Sequence, residues 1–188
     1  MDKIFNNLSY IAEKLNSINI VWGVGASILL NHFGLIDKPN DIDILVDIKD
    51  IGKADEILKG IGEKKIWEKT DAYSTRNFYE YTVNECEIDV MSGLRINHSN
   101  GVFEYVFDSE SISEIKKVNG VSIPLTALED WYVLYQLIPN REAKVKIIES
   151  YLLLNGIKKP DLLERSLKGN LPMQVKYRIE KILSSHHF

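Results

Sequence analysis

Apolar residues recur at helical spacing along the start of the chain: Ile4, Leu8, Ile11 and Leu15 fall three or four apart and share one face, predicting an amphipathic helix over residues 3–17. The period then changes. Ile18 to Val24 is a short apolar, β-branched run with the pattern of a buried strand. Beyond Gly25, Ile28, Leu29, Leu30 and Phe33 return to helical spacing up to Gly34. A strand therefore hands over to a helix through a tight turn. Next, Asp41-Ile42-Asp43-Ile44-Leu45-Val46 has β propensity, and Lys49 to Gly60 carries Ile51, Ala54, Ile57 and Leu58 at helical spacing. Between Lys64 and about Phe107 three β runs stand out, Arg76 to Val83, Cys86 to Met91 and Val102 to Phe107, with turn residues such as Asn97-His98-Ser99-Asn100-Gly101 between them. Past Pro124 the pattern is helical: Leu128 to Ile138, Glu142 to Leu154, Pro160 to Leu167 and Pro172 to Leu183.

The expected class is α/β (α+β), an α/β domain over 1–124 followed by a C-terminal helical region over 125–188 packed on it. A length of 188 residues fits one compact domain with an appended lobe. Composition agrees: 45% hydrophobic and 27% charged residues are the proportions of a folded, water-soluble chain. The 23 basic and 27 acidic residues leave a net charge of −4, which disfavours binding nucleic acid through a broad positive footprint. One cysteine, Cys86, forms no internal disulfide and asks for no oxidising compartment. The N-terminus lacks the apolar block of a secretory signal, and no stretch approaches the roughly 20 apolar residues of a membrane span, so the expectation is a cytoplasmic, microbial protein.

Side chains alternate across a strand, so Asp41 and Asp43 project from one face while Ile42, Ile44 and Val46 enter the core. With 12 Asp in the chain, an Asp-x-Asp spacing is expected about once by chance, so context has to decide. Cys86-Glu87-Ile88-Asp89-Val90-Met91 repeats the arrangement, and pairing with the first strand would add Asp89 as a third carboxylate. Three such groups repel one another unless a divalent cation compensates them, and all-oxygen ligands favour Mg²⁺ or Mn²⁺ over zinc. The alternative is that each Asp is a solvated strand-end or turn residue.

Upstream, Trp22-Gly23-Val24-Gly25-Ala26-Ser27 lies where strand becomes helix. Exposed amides at a helix start and a serine hydroxyl bind phosphate, and glycine lets backbone approach it; the plainer reading makes Ser27 a helix cap. Rival motifs fail, since position 28 is Ile rather than the glycine of a dinucleotide fingerprint, no Gly-Lys-Ser/Thr is present, and Ser27 lacks the second glycine of a nucleophile elbow.

The order strand, Gly-Ala-Ser, helix, Asp-Ile-Asp strand, helix and later Asp-bearing strand resembles the nucleotidyltransferase superfamily whose best-known member is DNA polymerase beta. Within it the chain is most similar to small bacterial members: minimal nucleotidyltransferases, lincosamide-type antibiotic nucleotidyltransferases, and nucleotidyltransferase toxins of abortive-infection systems. The resemblance implies a mixed β-sheet flanked by helices, with Gly25 and Ser27, and so the intervening Ala26, at the nucleotide phosphates; Lys38, three residues before Asp41, is a further nucleotide-binding candidate from its position alone. The resemblance also implies that Asp41, Asp43 and Asp89 are at once metal ligands and catalytic acids. Members usually carry glycine at the position of Ala26, and often a lysine on the helix after the site, where Gln136 aligns here. The implied activity is Mg²⁺- or Mn²⁺-dependent transfer of a nucleoside monophosphate from a nucleoside triphosphate to an acceptor hydroxyl on a small molecule, a protein or a tRNA end. The alternative is a non-catalytic nucleotide-binding protein, such as one partner of a toxin and antitoxin pair. Acceptor, nucleotide, pathway and oligomeric state are not legible in the residues.

Other groups carry weaker expectations. Arg76, like Lys38, can neutralise phosphate or stand in solvent. Trp22, Trp67, Tyr73, Phe78, Tyr79 and Tyr81 can stack on a base, although strand aromatics usually belong to the core. His32 and His98 show no metal-ligand spacing, His186 and His187 belong to a frayed tail, and Arg141, Lys144 and Lys146 read as the solvated face of a helix.

Overall fold

The structure, a computed structural model, describes residues 3–65 and 74–185. Trp67, Tyr73, His186 and His187 lie outside the described residues. Helices are α1 (Lys3–Asn16), α2 (Ala26–His32), α3 (Ile51–Ile61), α4 (Leu128–Leu137), α5 (Glu142–Asn155), α6 (Pro160–Leu167) and α7 (Met173–Ser185). Strands are β1 (Trp22–Val24), β2 (Ile42–Val46), β3 (Glu63–Lys64), β4 (Asn77–Val83), β5 (Cys86–Ser92), β6 (Arg95–His98), β7 (Gly101–Glu104), β8 (Ile112–Val118) and β9 (Val121–Thr126). Seven of them form a mixed sheet in the order β3-β4-β5-β2-β1-β9-β8, and β6 and β7 form a separate ribbon. The expected mixed sheet flanked by helices is therefore present.

Leu8, Ile11 and Leu15 of α1 are wholly buried, as are Ile42, Ile44, Ile88 and Val90 on the sheet. Each contributes about 1.5–3 kcal/mol by leaving water. That burial sets the strand orientation, because turning the apolar members inward turns the intervening acids outward.

Two local expectations need correction. The first strand is three residues long rather than spanning Ile18 to Val24, because the Ile18 amide turns back onto the Leu15 carbonyl and the Val21 amide donates to Asp50 Oδ2 at 3.0 Å. The segment 95–104, expected as a loop and then a strand, is the β6/β7 hairpin, with Asn97 and His98 inside it. The helix expected from Leu128 begins there, after β9 has run through Pro124 and paired with β1 at Val24↔Leu125. β9 forms a hairpin with β8 through the Asn119-Gly120 turn, both residues at positive φ.

Buried polar side chains of α4 tie it to the loop ahead of α6 and to the segment that follows β7. Glu129 accepts from the amides of Lys158 and Lys159 at 2.8 and 2.9 Å, just ahead of α6. Tyr105 Oη donates to Asp130 Oδ2 at 2.5 Å, while Asp130 Oδ1 has no partner among the described residues. Arg165 clamps the same loop through both Asp108 oxygens, the Val106 carbonyl and Ser111. Burial pushes the Asp130 carboxyl up to about 7, against the opposing pull of Tyr105 and Arg165.

A carboxyl with a higher pKa folded than unfolded binds extra protons in the native state, so its contribution to stability falls as pH rises between about 4 and 7. Denaturant unfolding at pH 5, 6 and 7 should show declining stability, with up to about 1.4 kcal/mol per pH unit from this one group. Asp130→Asn should flatten the slope; a mutant slope equal to wild type would locate the titrating group elsewhere.

Candidate functional site

Parallel pairing of β2 and β5 sets Ile42↔Ile88, Asp43↔Asp89 and Ile44↔Val90 side by side. Registered neighbours point to the same face, so Asp43 and Asp89 stand together on the face opposite their buried apolar neighbours. Asp41, just before β2, completes the group: one carboxylate oxygen from each of Asp41, Asp43 and Asp89 lies within 4.8 Å of the others.

Asp41 is held from the helix side. Ser27 Oγ lies 3.1 Å from both the Asp41 carbonyl and Asp41 Oδ1, and accepts from the Asn40 amide at 3.2 Å. The Gly25 amide donates to the Asp43 carbonyl at 3.0 Å, fastening the turn to β2. Ser27 therefore lines the cleft with its hydroxyl already engaged in positioning an acid. It does not cap α2, whose start carries no side-chain cap. Gly25 has a packing reason for being glycine, since an added Cβ would fall 2.3 Å from Trp131 Cζ2. Trp131 Nε1 in turn donates to Thr126 Oγ1 at 2.9 Å, and Thr126 to the Val24 carbonyl at 3.1 Å. Ala26 adopts φ 46°, the left-handed region that favours glycine and costs other residues about 1–2 kcal/mol.

The cleft over these residues encloses about 400 Å³. Ala26, Ser27 and the three acids form one side, Phe78, Met91 and Leu94 extend it, and α4 and α5 supply Trp131, Tyr135, Arg141 and Lys144 opposite. Lys144 Nζ sits 4.8 Å over the Tyr135 ring. Of the residues expected on a solvated helix face, Arg141 and Lys146 are exposed, Arg141 at the cleft's edge just ahead of α5, whereas Lys144 is a correction, half-buried and lining the cleft. A signal was present for Lys144, which stands four residues before buried Ile148 and so shares its helix face. Gln136 donates to the Tyr132 carbonyl instead of entering the cleft, and the cation on the helix after the site comes from α5. Lys38 is exposed on the loop before β2 and lies outside the cleft lining.

Of the described aromatic candidates only Phe78 reaches the cleft. Trp22 and Tyr81 are buried in the core, and Tyr79 packs under Lys64, whose Nζ is 3.3 Å from its ring centre. His32 bonds Glu114 at 2.8 Å and His98 the Asn170 carbonyl at 3.0 Å, both away from the acids.

Burial, then the charges of Asp41 and Asp89, raise Asp43 well above the ordinary carboxylate range, and Lys144 offsets part of this. Asp89 is pushed up to about 6 by burial, by Glu80 beside it on β4, and by Asp41 and Glu87. Burial and neighbouring Arg141 lower Lys144, against the pull of Asp43 and Asp41. Three clustered hard oxygen donors, each costly to ionise together, are what a divalent cation such as Mg²⁺ or Mn²⁺ stabilises.

No protein-family model and no curated protein matches the chain by sequence. Solved structures do match by shape. A candidate nucleotidyltransferase from Thermotoga maritima is 21% identical, with TM-score 0.60 over 78% of this chain and 91% of its own. The antibiotic-resistance enzyme ANT(2″)-Ia, solved with adenylyl-2″-tobramycin, is 12% identical, with TM-score 0.56 over 96% of this chain and 97% of its own. The lincosamide antibiotic adenylyltransferase LnuA, solved with lincomycin bound, is 16% identical, with TM-score 0.52 over 77% of this chain and 96% of its own. The chain has the nucleotidyltransferase fold.

Two substitutions should act oppositely at adjacent positions. Gly25→Ala meets the Trp131 ring and should lower stability by about 1–3 kcal/mol. Ala26→Gly relieves the left-handed backbone and should leave stability unchanged or raise it by up to about 1 kcal/mol. Melting temperatures check both, and a stable Gly25→Ala would refute the packing account. Asp43→Asn removes a repelling charge, so the metal-free mutant should melt at or above the wild-type temperature. Added Mn²⁺ should stabilise wild type by RT ln(1 + [L]/Kd) and the mutant much less; equal shifts would remove Asp43 from the ligand set.

Proposed function

We propose that this protein transfers a nucleoside monophosphate from a nucleoside triphosphate to an acceptor hydroxyl, with Asp41, Asp43 and Asp89 as its metal-binding and catalytic acids. The observation that carries the reading is the register of β2 and β5, which stacks two acids beside a third held by Ser27 and faces them with Lys144. Asp41, Asp43 and Asp89 would hold Mg²⁺ or Mn²⁺, which would supply Lewis acidity to the triphosphate and acidify the acceptor hydroxyl.

The chain's own groups do the rest. Ser27 keeps Asp41 aimed into the cleft, and the backbone at Ala26 gives the phosphates a close approach, while Gly25, packed under Trp131 and bonded to Asp43, holds that turn in place. Lys144 and Arg141 offset negative charge on the triphosphate. The acceptor oxygen bonds to the α-phosphorus as the bond to the bridging oxygen breaks, pyrophosphate leaves, and Asp89 takes the hydroxyl proton. Positioning and electrostatics account for most of the acceleration such a transfer needs. ANT(2″)-Ia and LnuA, with their tobramycin and lincomycin complexes, make small antibiotic hydroxyls the first acceptors to try.

Each labelled nucleoside triphosphate, incubated with Mg²⁺ and an aminoglycoside, a lincosamide, tRNA or cell extract, should label one acceptor. Asp43→Asn should reduce transfer at least about a hundredfold. Lys144→Ala should raise KM for the nucleotide about tenfold. Nucleotide binding without transfer to any acceptor would make the protein a non-catalytic binder, and full activity of Asp43→Asn would overturn the mechanism.

A further inference from the structure

A second cavity opens where β2 and β5 end, and the mechanism uses nothing in it. It encloses about 170 Å³ between Val46 and Ile48 after β2, Gly93 and Leu94 after β5, the residues following β7, and the side chains of Arg76 and Arg95. Leu94 belongs to the walls of both cavities. Arg76, a phosphate candidate by sequence, is therefore outside the catalytic cleft but within this one.

The lining combines an apolar body with unspent positive charge. Ile48 and Val106 keep 46% and 55% of their surface exposed, an apolar rim around an arginine-bearing hollow. Arg76 is exposed at the mouth of the cavity and makes no ion pair among the described residues. Arg95 Nε lies 3.1 Å from Glu104 Oε1, yet it is buried without a hydrogen bond of proper geometry. Gly93, at φ 60°, lets these side chains pass: an added Cβ would lie 3.1 Å from Ile48 Cδ1 and 3.2 Å from Arg76 Cβ.

We infer that this cavity binds a small monocarboxylate whose apolar body is about the size of one phenyl ring. Charge favours an anion, because Arg76 and Arg95 stand against the single carboxylate of Glu104, and the apolar walls disfavour the strongly hydrated phosphate, which offers them no apolar contact. Size fixes the body, since a cavity of about 150 Å³ admits benzene. The guanidinium fork suits a carboxylate, and Val46, Ile48, Val106 and Phe107 provide the apolar contact.

Benzoate, benzamide and inorganic phosphate are the probes, titrated calorimetrically into the full chain, with thermal unfolding to confirm that each variant folds. Benzoate should bind wild type at least tenfold more tightly than benzamide or phosphate. Arg76→Gln should erase that preference, Arg76→Lys should retain part of it, and Ile48→Glu, which adds a negative charge at the rim, should abolish binding. Lys144→Ala should leave benzoate affinity unchanged, separating this cavity from the cleft. Equal binding of benzamide, unaltered benzoate binding by Arg76→Gln, loss of it in Lys144→Ala, or no benzoate binding at all would each overturn the inference.

Discussion

The pairing of β2 with β5 is the constraint on which the rest depends. Two strands whose apolar residues must all face inward have few registers open to them, and the register found seats Asp43 against Asp89. The hydrophobic burial of Ile42, Ile44, Ile88 and Val90 thus holds two like charges together that electrostatics alone would separate. The raised proton affinity of both acids records that opposition. An apolar core on one face of the sheet thereby gathers mutually repelling carboxylates on the other.

The turn from β1 into α2 is the second support. Gly25 has no Cβ because the Trp131 ring occupies that space, and Trp131 is hydrogen-bonded through Thr126 to the Val24 carbonyl. The helical region is thus docked on the site itself, and α5 carries Lys144 across the cleft. Ser27 spends its hydroxyl on Asp41, so the turn shapes the acid cluster directly. Ala26 stores a little backbone strain at the same place, at a φ that favours glycine.

Much of the fold was legible because its signals are local. The alternation in Asp41–Val46 and Cys86–Met91 and the helical periods of α1, α3 and α6 are properties of neighbouring residues, and they placed both the acids and the elements bearing them. The errors were of two kinds. Local competition shortened β1, where Asp50 takes the Val21 amide from the ladder. Unweighed turn chemistry hid the β8/β9 hairpin, although Asn119-Gly120 announces it.

Sequence by itself determined which residues can be acids on an exposed face and which must be core, because burial period is written into the order of side chains. It also determined that a glycine-bearing turn precedes them. Only the tertiary structure decided that Asp43 and Asp89 are registered partners, that Lys144 and Arg141 face them while Lys38 does not, and that Arg76 belongs to another cavity. Those facts depend on which strands pair and how α4 and α5 cross the sheet. Such contacts join residues tens of positions apart, and no local spacing specifies them.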